Sequence, residues 1–201
     1  MQKFTVHTGQ AVPLYRANID TDQIIPKQFL TRIERTGYGA FHFYDWRVGD
    51  DGGPNKDFVL NDPVYAGASI LIAGPNFGCG SSREHAAWSL LDHGFRAVIA
   101  PSFGDIFYTN SLKNGLLPLV LDQRIASDLA RQAKENPPLS ITVDLVAKTV
   151  SSEAGHIADI VIDDFRRHCL INGLDENGIT LQHADAIAHF ERSHPNSIAA
   201  A

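Results

Sequence analysis

A chain of 201 residues, 44% of them hydrophobic, can bury one substantial core and shows no composition shift that would divide it into two domains. Its net charge of −6 comes from 23 acidic against 17 basic residues, the latter scattered rather than striped, which argues against a nucleic-acid surface. No run approaches the roughly 20 apolar residues of a membrane span, and the first residues hold no long apolar stretch of signal type, so the chain is expected in the cytoplasm with no membrane partner.

Phe4 to Thr8 and Ala11 to Tyr15 read as two strands turned at Gly9-Gln10. Arg16 to Pro26 then gathers Arg16, Asn18, Asp20, Thr21 and Asp22 ahead of Ile24-Ile25. The plain reading is that Asp20 or Asp22 caps a short helical turn that Pro26 limits. A calcium loop of the EF-hand type fails, because Ile24 stands where a further oxygen ligand is needed. Pro26 to Phe43 mixes basic with aromatic residues, yet the run is short and carries Glu34, which weighs against nucleic acid. Trp46 to Asp57 reads as a flexible polar loop with little to bury, in which Asp50 and Asp51 are solvated turn residues.

Ser69 to Ala73 is an apolar, β-compatible run, and Arg83 to Asp92 sets Ala86, Ala87, Leu90 and Leu91 on one helical stripe. Ala97 to Ala100 reads as a buried strand, Phe103 to Lys113 as a helix capped by Ser102, and Leu116 to Leu121 as a further strand. Asp122 to Asn136 is an amphipathic helix with Ile125, Leu129 and Ala133 on one face. Ser140 to Asp144, Lys148 to Val150 and Ile157 to Ile162 alternate as antiparallel strands. Two helices follow, Asp163 to Asn172 ended by Gly173, and Asp185 to Arg192, before a frayed tail near 193–201. Alternating strands and helices followed by hairpins predict a single mixed α/β domain over residues 1–201.

The stretch Gly74 to His93 is the most informative. It joins a predicted strand to a predicted helix through Gly78 and Gly80, which permit positive φ and close backbone approach. Amide groups at a helix start carry partial positive charge, and Ser81, Ser82 and Arg83 add two hydroxyls and a guanidinium, so a carboxylate could be held there. The same residues fit a capping box, with Ser81 as cap and Glu84 returning to its amide; the local sequence leaves cap and site open. A phosphate loop would end in Gly-Lys-Ser/Thr, and no lysine is present. Cys79 and Cys169 are the two cysteines, too few for a disulfide framework or for the about four thiolates of an iron–sulfur cluster.

Four spaced motifs carry a resemblance: Asn18-Ile-Asp-Thr-Asp-Gln-Ile-Ile-Pro26, Phe77-Gly-Cys-Gly-Ser-Ser-Arg-Glu-His85, Ala100-Pro-Ser-Phe-Gly-Asp-Ile-Phe107, and Phe165-Arg-Arg-His168 with Asn172-Gly-Leu174. In order and nearly end to end they resemble the small subunits of the isopropylmalate dehydratases, the swivelling domain of the aconitase superfamily. The resemblance implies a swivelling β/β/α fold with a barrel-like mixed sheet core flanked by helices. It implies that Ser81 is a base, that Ser82 and Arg83 bind a substrate carboxylate, and that Arg16, Asn18, Asp20 and Thr21, beside the serine loop, complete the substrate-binding set, with Arg16 at the place of a substrate-binding arginine. Glu84 and His85 would support these groups. Phe29, Leu30, Thr31, Arg32 and Ile33 would belong to a loop, Lys27 through Arg35, that faces the substrate's variable side group.

The implied reaction interconverts 2-isopropylmalate and 3-isopropylmalate by loss and return of water, in leucine biosynthesis. The chain would bind no metal; a 4Fe-4S cluster in a large-subunit partner, joined as a heterodimer, would take the hydroxide. Arg32 and Arg35 keep open a homoaconitase or a methylmaleate hydratase, since an arginine in the side-group pocket favours an additional carboxylate. Two further classes are a stand-alone hydrolase with Cys79 as nucleophile and His85 as base, and a non-catalytic carboxylate-binding module.

Overall fold

The computed structural model describes residues 1–31 and 34–194. Seven strands are formed: β1 Val6–Leu14, β2 Ile70–Ala73, β3 Ala97–Ala100, β4 Leu117–Val120, β5 Leu139–Asp144, β6 Thr149–Ser152 and β7 Gly155–Asp159. They build one mixed sheet in the order β4-β3-β2-β1-β5-β6-β7, curled as a half-barrel and flanked by helices, which is the α/β architecture the resemblance implies. Its two halves meet on β1. Ala11 to Leu14 pair in parallel with Ile70 to Ala73, whereas Val6 to Ala11 pair antiparallel with Asp144 back to Leu139.

That double pairing corrects the reading of two strands turned at Gly9-Gln10. Gly9 lies inside a continuous strand, and a Cβ there would collide with Ser69 Oγ, so the glycine serves close approach rather than a turn. Every residue of β2 and β3 is buried, as expected of parallel strands covered on both faces. Leu71 and Ala73 point into one core, shared with Val12, Leu14 and Val98; Ile70 and Ile72 point into the other, with Ile99, Leu117 and Leu119.

Helices α1 Thr21–Ile24, α2 Tyr44–Arg47 and α3 Glu84–His93 belong to the first core. Residues Tyr38, Phe43 and Phe58 fill it. Helix α4 Asp105–Asn114 starts later than Phe103 and is not capped by Ser102, whose hydroxyl accepts from the Asn76 amide at 2.8 Å. Helix α5 Gln123–Glu135, capped by Asp122, buries Ala126, Leu129 and Ala133 in the second core, and α6 Asp164–Asn172 adds Leu170 before stopping at left-handed Gly173. Helix α7 Glu176–Leu181, capped by Asp175, has no apolar stripe and escaped the periodicity reading. β7 ends at Asp159, short of the expected Ile162, and α8 spans Ala184–Ser193. Residues 195–201 of the expected tail lie outside the described residues.

The 46–57 segment is stitched to its surroundings. Trp46 stacks 5.7 Å from Phe43, and the Asn61 carboxamide donates to Arg47 O and Asn55 O at 2.7 and 2.8 Å.

Candidate active site

Because β1, β2 and β3 run parallel as neighbours, the loops leaving their C-terminal ends lie side by side. Main-chain bonds tie residues 15–20, 74–83 and 101–104 together. Asn18 N–H donates to Pro75 O (2.9 Å), Gly78 N–H to Ile19 O (2.7 Å) and Thr21 N–H to Cys79 O (2.9 Å). On the other flank Phe77 N–H donates to Ser102 O (3.1 Å) and Gly104 N–H to Phe77 O (2.9 Å). Gly78 has φ +72°, and a Cβ there would lie 2.6 Å from Phe107 Cβ; one on Gly104 would lie 3.0 Å from Cys79 Cα. Only glycines let the serine loop pass so close to α4.

Ser81 and Ser82 are exposed where this loop meets α3. The helix starts at Glu84 with Arg83 in the cap position, and no side chain caps it. The capping box is therefore absent. Glu84 Oε1 accepts instead from Asn114 Nδ2 at 2.8 Å. Ser81 is fixed through its carbonyl, which accepts from Thr21 Oγ1 at 2.9 Å, while its hydroxyl has no hydrogen-bond partner among the described residues. Ser81 thus stands two residues ahead of the cap position of a helix whose first-turn amides no side chain has claimed.

Arg83 is largely enclosed, its side chain 15% exposed, with Nη2 2.9 Å from Asp22 Oδ1. The other Asp22 oxygen lies 3.2 Å from Lys27 Nζ. Oδ1 lacks hydrogen-bond alignment despite the short ion-pair distance, and Arg83 Nε is buried without a partner, so the pairing is Coulombic and leaves the fork unfilled. Asp20 closes a capping box over α1 with Gln23, which confirms the cap expected there, and pairs as a bridge with Cys79. Asn18 is left-handed at φ 56° and accepts from Asn76 Nδ2 at 2.8 Å. Arg16 is exposed, its guanidinium 4.7 Å over the Trp46 ring. The structure thus brings Asn18, Asp20, Thr21, Ser81, Ser82 and Arg83 to one edge.

The expected side-group loop is reached differently. Phe29 stacks on Phe41 at 4.2 Å and meets Tyr44 edge-on at 4.8 Å; Leu30 packs against the first core and Thr31 is exposed. Arg32 and Ile33 lie outside the described residues. Arg35 is drawn onto Trp88 (5.4 Å) and donates to Asn114 Oδ1 at 2.6 Å.

His85 lies between Tyr38 (5.2 Å) and Trp88 (4.7 Å), and burial lowers its pKa. Burial first, then the Asp20 carboxylate, raises the Cys79 thiol, which is the reverse of an activated nucleophile. Sequence reasoning missed Asn114, and took Ser102 only for a helix cap and Trp46 only for the start of a loop. The signal for Asn114 was Asn-Gly at a helix end, which reads only as a stop.

Comparison with known proteins identifies the family. The aconitase C-terminal domain family matches residues 1–124, and the C-terminal domain of the 3-isopropylmalate dehydratase small subunit matches residues 178–197. The chain is 55% identical over 194 residues to the 3-isopropylmalate dehydratase small subunit of Koribacter versatilis, covering 96% of this chain and 100% of that one. It is 53% identical over 191 residues to the same subunit of Brevibacillus brevis, covering 95% and 98%. The crystal structure of 3-isopropylmalate dehydratase from Methanocaldococcus jannaschii superposes with a TM-score of 0.67 at 23% identity, over 92% of this chain and 99% of that one, and speaks for the fold.

Proposed function

The chain belongs to the family of 3-isopropylmalate dehydratase small subunits, and from that premise we propose that it supplies the base and a carboxylate clamp to a hydro-lyase site that an iron–sulfur large subunit completes. The observation that carries this reading is the exposed, unpartnered Ser81 hydroxyl at the uncapped start of α3. The substrate hydrogen to be removed sits on a carbon next to a carboxylate and is barely acidic, so a strong base is required. A serine hydroxyl serves only if its ionised form is favoured, and the amide dipoles at the α3 start with the nearby Arg83 guanidinium act in that direction. Ser82 and the Arg83 guanidinium suit a substrate carboxylate, and the resemblance adds Arg16, whose guanidinium lies over the Trp46 ring. Losing one such charged contact costs about 2–4 kcal/mol of transition-state binding.

The chain's own thiols do not fit a cluster. Cys79 is committed to the loop and Cys169 is buried on α6, and no group of three or more metal-ligating side chains occurs among the described residues. In this reading, which rests on the family resemblance, the cluster and the Lewis acid belong to the large subunit. No described helix is long and apolar enough to cross a membrane. Engagement of Arg35 by Asn114 and Trp88 removes one candidate receptor for an additional substrate carboxylate, which favours an apolar side group over the homoaconitase and methylmaleate hydratase readings.

The test mixes the purified chain with a cluster-loaded large subunit, supplies 3-isopropylmalate and follows absorbance of the unsaturated acid. Turnover that needs both chains and disappears in Ser81→Ala is the expected result. Activity retained in Ser81→Ala removes the base assignment, and no turnover with any branched malate returns the binding-module reading.

A further inference from the structure

The segment that would face the substrate's side group begins at Lys27 and ends at Arg35, and each end is tied to one of two adjacent residues behind the serines. At the entry, Lys27 Nζ is 3.2 Å from Asp22, which in turn pairs with Arg83. At the exit, Arg35 reaches Glu84 through a single carboxamide. Asn114 Oδ1 accepts from Arg35 Nη2 (2.6 Å) and from Trp88 Nε1 (2.9 Å), while its Nδ2 donates to Glu84 Oε1 and to Asn110 O, both at 2.8 Å. All four hydrogen-bonding sites of that side chain are used. The hub sits on the last residue of α4, where left-handed Gly115 ends the helix. The Arg35 guanidinium also lies over the Trp88 ring. A network saturated in this way holds one geometry, since each bond fixes the orientation needed by the others.

We infer that Asn114 is a positioning residue for side-group selectivity, locking the exit of the 27–35 loop to the first turn of α3 so that the specificity loop and the serine loop keep one spacing. This rests on the function proposed above. Asn114 would touch no substrate; it acts through Arg35 and Glu84. The entry is held separately, by the Phe29–Phe41 stack at 4.2 Å together with the Lys27–Asp22–Arg83 link, so breaking the hub frees the Arg35 end only.

The experiment compares kcat/KM for 3-isopropylmalate and 3-methylmalate in the complex with the large subunit, using Asn114→Ala, Arg35→Ala, the double variant, and Lys113→Ala as a control on the same helix turn. Asn114→Ala is expected to lower the isopropyl-to-methyl ratio about fivefold, the loss expected of one ordinary hydrogen bond. Arg35→Ala should match it, the double variant should add nothing further, and Lys113→Ala should leave the ratio unchanged. A ratio that stays within about twofold while both substrates slow together marks a merely structural residue and overturns the inference. Additive effects of the two substitutions overturn it as well.

A wild-type complex inactive on both malates would refute the proposed function, and amide hydrogen exchange on the isolated chain then decides the bracket alone. Faster exchange at both 34–41 and 83–88 in Asn114→Ala supports it; faster exchange confined to 110–115 overturns it. Asn114→Asp, which keeps the acceptor toward Arg35 but loses the donor toward Glu84, should quicken 83–88 and spare 34–41. The reverse order contradicts the wiring.

Discussion

Gly78→Ala is the sharpest test of how the serine loop is held. The residue sits at φ +72°, a region that costs an L-residue about 1–2 kcal/mol. The added methyl would also meet Phe107, with Cβ and Cδ1 at 2.6 and 2.7 Å. Phe107 cannot step aside, since it is 1% exposed and wedged between Phe77 at 5.2 Å and Phe103 at 6.2 Å. Overpacking of that kind adds about 1–3 kcal/mol, so the total reaches about 2–5 kcal/mol, a large share of the 5–15 typical of a domain. Gly80→Ala is the internal control. It carries a similar strain at φ +91°, but the nearest atom, Asp20 Cβ, lies at an ordinary 3.4 Å, so about 1–2 kcal/mol is expected. Urea unfolding of the isolated chain measures both. If the two variants lose the same stability within about 0.5 kcal/mol, the Phe107 wall is not what sets the loop, and the reasoning fails.

Ser81→Ala should leave the unfolding midpoint within about 0.5 kcal/mol of wild type, against the about 1 kcal/mol expected if the serine capped α3. His42 is fully enclosed, and burial first, then His93 and Arg47, lower its pKa to about 3 despite the opposing Gly39 carbonyl. Because the folded value lies below the unfolded one, the neutral ring adds stability that is complete above pH 6.5 and is lost as pH falls towards 3; by pH 4 the loss is about 3 kcal/mol. His42→Gln should flatten that part of the pH-stability curve, and an unchanged slope between pH 6.5 and 4 would count against the assignment. Tyr65→Phe should cost about 1–2 kcal/mol in the same unfolding assay, since the 8%-exposed Tyr65 donates to Ala133 O at 3.0 Å and its loss leaves a buried acceptor unpaired. Cys79→Ser should keep turnover within about threefold, because a thiol raised by burial is a poor nucleophile, whereas a hydrolase mechanism would lose it entirely.

Elements whose signal is local were legible in the chain itself. β3 ran from Ala97 to Ala100 as read, because a parallel strand buried on both faces leaves an unbroken apolar run. The helix starts near Asp122 and Asp163 and the Gly173 stop belong to the same class, each set by near neighbours in sequence. The motif around Ser81 is local as well, its glycines, serines and arginine standing in consecutive order between a strand and a helix. Long-range partners decided the rest. Gly9 looked like a turn because a strand accepts glycine only where another backbone or side chain presses close, and Ser69, which does so, is distant in sequence. Ser81 and Glu84 had the spacing of a capping box, yet the helix begins two residues later than that box requires, with Arg83 at the cap position, Thr21 on the serine's carbonyl and Asn114 on the glutamate. Whether a side chain completes its own helix or faces a substrate depends on which competitors the tertiary fold brings within hydrogen-bonding reach, and no local pattern encodes that.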